Sequence, residues 1–222
     1  MSELVQEVGE VVVLFSGGRD SSLTTCLLAK DGATVHMLST FNGAVVQTDI
    51  VEIRYSEIKL LFGEQIVNRT VIPSYGLFRK VALKDIEQDF KTYHYNLIPL
   101  GDAIATHTIA VIYCLRNNIK TVASGYTSYQ SSFPEQFPEA IELTRNFLAE
   151  YGISYLTPVL GYGSVDEVKY RLFDFGISTK SYEGVSLFAD TFSTPTPEVV
   201  TGYIKSKLEL CRQYIASMVP KQ

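Results

Sequence analysis

Val11-Val12-Val13-Leu14-Phe15-Ser16-Gly17-Gly18-Arg19-Asp20-Ser21-Ser22 is the stretch on which the reading of the fold turns. Its first five residues are apolar, rich in β-branching and too few for a helix, so they read as a buried central strand. Leu23-Thr24-Thr25-Cys26-Leu27-Leu28-Ala29-Lys30 follows as a helical segment, stopped by Asp31-Gly32. A tight strand-to-helix turn thus carries Gly17, Gly18 and the hydroxyls of Ser16, Ser21 and Ser22. Glycine lets bare backbone N–H groups approach an anion without a Cβ in the way. The helix N-terminus adds unpaired donors and a positive partial charge. The turn therefore reads as a cradle for phosphate. The plainer alternative, a Gly-Gly bend with Asp20 as helix N-cap, leaves the hydroxyl cluster without a purpose.

Outward from this turn, strands alternate with helices. Thr34–Thr40 reads as the second strand, and Phe41-Asn42-Gly43 leaves its C-terminal edge, where open α/β sheets bind ligands. A helix over about 49–62 places Val51, Tyr55, Ile58 and Phe62 on one face and ends at Gly63. Gln65–Ile72 is the third strand, closed by Pro73. Phe78, Val81, Ala82 and Ile86 suggest a helix, and Thr92–Leu100 reads as loop, with Tyr93-His94-Tyr95 a candidate substrate contact near the crevice. Gly101-Asp102 opens a helix ending at Asn117-Asn118. Lys120–Ser124 is the fourth strand, followed by Gly125, placed where backbone approaches a ligand, and by a polar, aromatic loop to Pro138 that is a candidate lid. A helix to Tyr151-Gly152, a fifth strand at Ile153–Leu156, and a helix from the capping box Ser164-Val165-Asp166-Glu167 to Gly176 complete the alternation.

This pattern implies an α/β fold: a single doubly wound domain with a five-stranded parallel sheet in the order 3-2-1-4-5 and helices on both faces. The core spans about 10–176. Residues 177–222 form an extension with a loop to Thr196 and a last helix starting at Pro197. That helix repeats apolar residues at Val200, Ile204, Leu208, Cys211, Ile215 and Met218, a stripe for the sheet or for a second subunit in a homodimer or with another protein partner.

The 222 residues carry a net charge of −5 and no basic block, which argues against direct nucleic-acid binding. No apolar run approaches the roughly 18 residues of a membrane span. Met-Ser-Glu-Leu-Val-Gln-Glu lacks the regions of a signal peptide, so the expected setting is cytoplasmic, without a membrane. Cys26, Cys114 and Cys211 are scattered and odd in number and read as reduced thiols, with Cys26 and Cys114 packed on apolar helix faces. His36, alone in the second strand, reads as a packing residue.

No lysine follows Gly18, so the turn is not a Walker loop, and the dinucleotide glycine pattern also fails. Ser16–Ser21 instead matches the Ser-Gly-Gly-x-Asp-Ser signature of the PP-loop ATP pyrophosphatases. The order of parts resembles the queuosine-pathway branch of that superfamily, the cyano-deazaguanine synthases. Phe15–Thr25 carries the resemblance most specifically. Leu97-Ile98-Pro99-Leu100-Gly101-Asp102 resembles the family's Phe-Val-Pro-Gly-Arg-Asn, with the Arg-Asn blunted to Asp102. Ala123–Tyr126 with Phe133-Pro134 resembles its Thr-Gly-Val and Gly-Tyr-Pro-Asp, and Leu156–Leu160 resembles its Glu-Thr-Pro-Leu. Two features depart. Only Cys211 falls where the family has four zinc cysteines, so no zinc is expected and the Pro-rich 193–197 is expected to hold the tail by packing. The family's lysine after Thr-Pro is Val165 here, with Lys169 one turn later as the candidate substitute.

The resemblance implies ATP, with Mg²⁺, as cofactors, and a small-molecule carboxylate on a 7-deazaguanine-like base as substrate. Activation with release of AMP and pyrophosphate would lead to an amide or nitrile. Candidate catalytic residues are Asp20, Ser21 and Lys169. Candidate nucleotide-binding residues are Phe15, Ser16, Gly17, Gly18, Arg19, Asp20, Ser21, Ser22, Phe41 and Gly125, with the adenine near the last two. Asp20 is expected to hold Mg²⁺ or to fix Ser22 and the helix start. Two other readings remain: a PP-loop thiolation enzyme, against which Cys26 on a core face and the acidic balance speak, and a nucleotide-binding partner or sensor subunit that has lost turnover.

Overall fold

The structure, a computed structural model, describes residues 9–188 and 193–219. Met1–Glu7, read above for signal-peptide regions, lies outside these residues. Strand β1 (Glu10–Leu14) sits at the centre of a five-stranded parallel sheet. It is buried on both faces, so it reads as continuous Val-Val-Val rather than alternating. Val12 packs into the core on one side of the sheet, Val11 and Val13 into the core on the other. Strand β2 (Thr34–Phe41) pairs with β1 on one edge and, after the two-residue β3 (Val45–Val46), β4 (Ile66–Pro73) pairs with β2. On the other edge come β5 (Thr121–Ala123) and β6 (Ser154–Leu156). The order β4-β2-β1-β5-β6 is the expected 3-2-1-4-5 with the short β3 counted in the numbering. Strand order reverses at β1, which places a crevice at its C-terminal end.

Helices α1 (Arg19–Lys30) and α2 (Val51–Phe62) lie on one face of the sheet. Val51 and Ile58 of α2 are buried there, and Tyr55 and Phe62 pack against the same core. The opposite face begins with α3 (Tyr75–Phe78), which continues through a π turn at Arg79–Leu83, and α4 (Ile86–Tyr93). His94 caps α4 in the left-handed conformation (φ 62°), and Tyr93 and His94 are absent from the lining of the central crevice, so this trio is not the substrate contact expected from its loop-like sequence.

Helix α5 (Ile98–Asn117) starts three residues earlier than Gly101-Asp102 suggests. Pro99 in its first turn is pre-organised for a helix, and Asn96 Oδ1 accepts from Ile98 N at 3.2 Å. Among the described helices, α5 has the length and mean hydropathy (1.5) of a membrane span, although polar residues break its apolar run; 72% of that window is buried in this fold. Helix α6 (Pro138–Ala149) follows, then α7 (Val165–Asp174), packed on the α1 side through Val168 and Leu172. The capping box forms with Glu167 N donating to Ser164 Oγ at 3.2 Å, while Glu167 Oε2 reaches back to Gly163 N at 2.8 Å.

The segment after α7 is less loop-like than its sequence. Strand β7 (Val185–Ser186) pairs antiparallel with β3, and Leu187 N donates to Ala44 O at 2.9 Å. Residues 189–192 of the expected loop lie outside the described residues. Helix α8 (Pro197–Met218) buries Val200, Ile204, Cys211 and Ile215 against the α5 and α6 side, so its apolar stripe is used within the chain. Cys26, Cys114 and Cys211 are free and buried. Burial pushes the Cys26 thiol up to about 12.

Candidate functional site

The chain turns from β1 into α1 through Phe15–Gly18. Gly18, not Asp20, is the N-cap of α1, and Asp20 falls in its first turn. Gly17 takes φ +80°, a conformation that side-chain-bearing residues rarely adopt. The hydroxyls are only partly available to a ligand. Ser22 is buried and donates to Gly18 O at 2.5 Å, and Ser21 Oγ lies 3.3 Å from the same carbonyl and 3.2 Å from Ser16 Oγ. Ser16 is the exposed hydroxyl of the cluster.

This turn opens into a cavity of about 990 Å³ at the C-terminal ends of β1, β2 and β5. Of the candidate residues, Phe15, Ser16, Gly18, Asp20, Ser21, Phe41 and Gly125 line it together. Gly17, Arg19, Ser22 and Lys169 do not. Arg19 donates from Nε to Thr179 O at 2.7 Å, and Gly17 O accepts from Tyr182 N at 3.1 Å. Lys169 pairs with Asp166 at 2.9 Å on α7, outside the cavity lining.

Gly125 is needed for a different reason from the one its sequence position suggests. A Cβ there would lie 2.5 Å from Ser21 N, 2.6 Å from the Asp20 carbonyl carbon and 2.8 Å from Ser21 Cα. Gly125 thus seats the end of β5 directly against the first turn of α1, and approach of backbone to backbone, more than to a ligand, excludes a side chain. Across the same contact, Tyr129 Oη donates to both oxygens of Asp20, at 2.7 and 2.8 Å. Burial raises the Asp20 carboxyl above its ordinary range, with the Tyr129 hydrogen bond and Arg19 opposing.

A strap formed by residues 178–186 crosses the turn. Fully buried Arg54 of α2 anchors it, donating from Nη1 to Ser178 O at 2.7 Å and from Nη2 to Lys180 O, with Glu57 as its ion partner at 2.9 Å. The guanidinium stands 5.0 Å from the centre of the Tyr182 ring. The strap brings Glu183 over the loop: its Oε2 would lie 2.8 Å from a Cβ at Gly18, beside Ser16 Oγ. Loss of surrounding water raises the Glu183 carboxyl, Ser16 opposes this, and the Asp20 charge adds to it. Glu183 thus covers part of the glycine turn, but the adjoining cavity remains open.

The far end of the cavity is built from α5 and the loop after β5. Asn42 Oδ1 accepts from Ala44 N at 2.8 Å, which turns its Nδ2 toward Asp102 Oδ2 at 2.9 Å. His107 has Nδ1 2.7 Å from Ala103 O and Nε2 3.1 Å from Tyr155 Oη, which in turn is 2.6 Å from Ser124 Oγ. Burial lowers the His107 pKa to about 4, so the ring is neutral at pH 7. Asp102, Glu135, His107 and Ser124 all line the cavity. Burial raises both carboxyls, and the Asp102 charge adds to the rise at Glu135. The sequence pointed to Asp102 only as a departure from a pattern; Tyr129 and Glu135 fall in the loop read as a candidate lid but were not singled out within it, and nothing local marked Glu183.

A parallel sheet whose central strand runs through Ser-Gly-Gly-Arg-Asp-Ser into a helix, with a deep crevice beside it, defines a PP-loop nucleotide-binding protein. The model of the family described as queuosine biosynthesis protein QueC matches residues 10–171, and the chain belongs to that family. The family comprises ATP-utilising PP-loop synthases of queuosine-related biosynthesis. No curated protein matches the chain. A solved structure from Methanocaldococcus jannaschii, described as a "predicted subunit of tRNA methyltransferase", is similar at 20% identity and a TM-score of 0.47, covering 81% of this chain and 96% of that one.

Proposed function

We propose that the protein activates a carboxylate with ATP, releasing AMP and pyrophosphate, for amidation or nitrile formation on a 7-deazaguanine-like base, with residues 1–222 acting as one domain. The observation that supports this most is the glycine turn at the head of α1 opening into a cavity of about 990 Å³, room for a nucleotide and a second small molecule together. In this reading the β and γ phosphates lie on residues 16–22, and the adenine lies near Phe41 and Gly125. The substrate carboxylate attacks the α-phosphorus, the α–β bridging bond breaks, and pyrophosphate departs against the loop amides and the Ser16 and Ser21 hydroxyls. Donors held in place before reaction stabilise that charge without reorganisation. The amine then displaces AMP from the acyl carbon.

Glu183 and Asp20 are acids beside a polyanion, which disfavours bare phosphate and suits a metal-bound one. Mg²⁺ commonly sits on one or two carboxylates together with nucleotide phosphates. Asp20 and Glu183 supply such a pair, and the ion would neutralise phosphate charge there. Without the metal, Glu183 must leave Ser16 and Gly18 for phosphate to enter.

Incubation with α-labelled ATP and a 7-carboxy-7-deazaguanine acid is the test. Acid-dependent AMP and pyrophosphate are the expected products. ADP, or AMP formation indifferent to every acid offered, overturns the proposal. Val165 in place of the resembled family's lysine, with Lys169 outside the cavity lining, favours a second reading, a nucleotide-binding subunit without turnover. That reading requires ATP binding with no AMP under the same conditions.

A further inference from the structure

Among the described residues that line the central cavity, Asp20, Asp49, Asp102, Glu135 and Glu183 are acids, and Arg69 is the one arginine or lysine. A polyanion entering this cavity meets a surplus of acid, so the place of that single cation matters. Arg69 stands on β4, where the two-residue period of a strand puts it and Val71 on the cavity wall. Its Nε donates to Ser39 Oγ at 3.2 Å, and Ser39 Oγ donates in turn to Phe15 O at 2.6 Å. The guanidinium is therefore two hydrogen bonds from the residue that opens the glycine turn, and Ser39 is two residues before Phe41 on β2. Nη1 is engaged elsewhere, by Glu52 of α2 at 2.7 Å, which leaves Nη2 without an acceptor among the described residues. Glu52 does not line the cavity, and its side chain is 57% exposed against 11% for Arg69. An ion pair with so exposed a partner is weak and yields readily to a competing anion.

We propose that Arg69 leaves Glu52 when nucleotide binds and donates from Nη1 and Nη2 to the non-bridging oxygens of the α-phosphoryl group, with Glu52 as the resting partner that competes with nucleotide. The assignment rests on the carboxylate-activation reading, which puts the adenine near Phe41 and the terminal phosphates on residues 16–22. The α-phosphoryl group joins those two places, and Arg69 reaches the wall that connects them. A planar fork of donors suits two oxygens of one phosphoryl group better than an ammonium does. As the substrate carboxylate attacks, the α–β bridging bond breaks and its electron pair leaves with pyrophosphate. The α-phosphoryl oxygens stay anionic throughout, and donors already aimed at them offset their repulsion of the incoming carboxylate. No proton passes to or from the guanidinium.

The test needs no acid substrate. AMP and adenosine differ by the α-phosphate alone, and calorimetric titration of the full-length protein with each isolates its contribution. The wild type is expected to bind AMP at least about tenfold tighter than adenosine, the scale of charge-assisted hydrogen bonds. Arg69→Met should lose that preference with adenosine binding unchanged, and Arg69→Lys should recover part of it, since lysine restores the charge but not the fork. Glu52→Gln removes the competitor and should bind AMP about threefold tighter, in line with the small worth of an exposed ion pair. The same change in an Arg69→Met background should do nothing. A pair that only braces α2 against β4 predicts no gain in AMP affinity from Glu52→Gln. That result overturns the proposal even if Arg69→Met fails to fold, and so does an AMP preference that survives in folded Arg69→Met or is missing from the wild type. The expected binding pattern without acid-dependent AMP release contradicts only the activation chemistry. Acid-dependent AMP release with kcat and the KM for ATP unaltered in Arg69→Met contradicts only this assignment.

Discussion

Replacing Gly125 by alanine tests how the site is assembled. The added Cβ would meet three backbone atoms of Asp20 and Ser21 at 2.5–2.8 Å. None of them can rotate aside as a side-chain tip can. Ordinary contact therefore requires β5 and the first turn of α1 to separate by roughly 0.6–0.9 Å, which places the substitution in the overpacking class, about 1–3 kcal/mol. With a urea m-value of about 2 kcal/mol/M, the unfolding midpoint should fall by roughly 0.5–1.5 M. The same displacement carries Asp20 and Ser21 with it. A misplacement near 1 Å lowers a rate by about 10²-fold, so acid-dependent AMP release should fall more steeply than stability. Gly161, with nothing within 4 Å of its Cβ position, is the control, and Gly161→Ala should be neutral. Equilibrium denaturation and a labelled-ATP assay on both variants suffice. A Gly125→Ala protein within about 0.5 kcal/mol of wild type and with full activity would refute the reasoning, since that is the range of a bland surface change.

Asp20→Ala should abolish AMP release while leaving the far-ultraviolet circular dichroism largely unchanged; wild-type rates would remove Asp20 from the site. Glu183→Gln removes one negative charge from the phosphate seat. With Mg²⁺ chelated, pyrophosphate should bind at least about fivefold tighter, the effect of roughly 1 kcal/mol for a charge pair near 4 Å in water-like surroundings; unchanged binding by equilibrium dialysis would mean that Glu183 does not overlap the ligand. Stability should rise on mild acidification. Asp102 and Glu135 have carboxyls raised above 3.8 and 4.5, so between those values and their native ones the folded state holds more protons than the unfolded state. Their contribution is full below the unfolded values and is lost as pH rises through the native ones. Melting temperature should therefore fall as pH rises from the unfolded values through the native ones, and a double Asp102→Asn, Glu135→Gln variant should flatten that slope; a wild-type slope in the double variant would contradict the assignment.

The alternation of strands and helices was legible because β1 is buried on both faces and cannot be mistaken for an amphipathic segment. The glycine turn was legible because its parts are contiguous. Where reading along the chain failed, the cause was spatial. Tyr129 and Asp20 are 109 residues apart, and no local pattern links a tyrosine in a polar loop to a carboxylate in a helix. Lys169 shares a helix face with Val165 in the sequence, but Val168 and Leu172 set the rotation of α7, and that rotation sends the lysine to Asp166. The α5 start was misread for a local reason: Pro99 resembles a loop residue until its place in a first turn is recognised. At Gly125, sequence position located the close approach but not what approaches.

Arg54 has a consequence for how the molecule comes into being. It holds carbonyls of Ser178 and Lys180, 124 and 126 residues downstream, and through them sets Tyr182 against Gly17. A ribosome therefore releases the glycine turn long before the segment that covers it. Until the chain has been synthesised past Glu183, the glycine turn lies uncovered and Arg54 lacks the carbonyls that satisfy it, so this corner of the crevice is among the last parts of the protein to be completed.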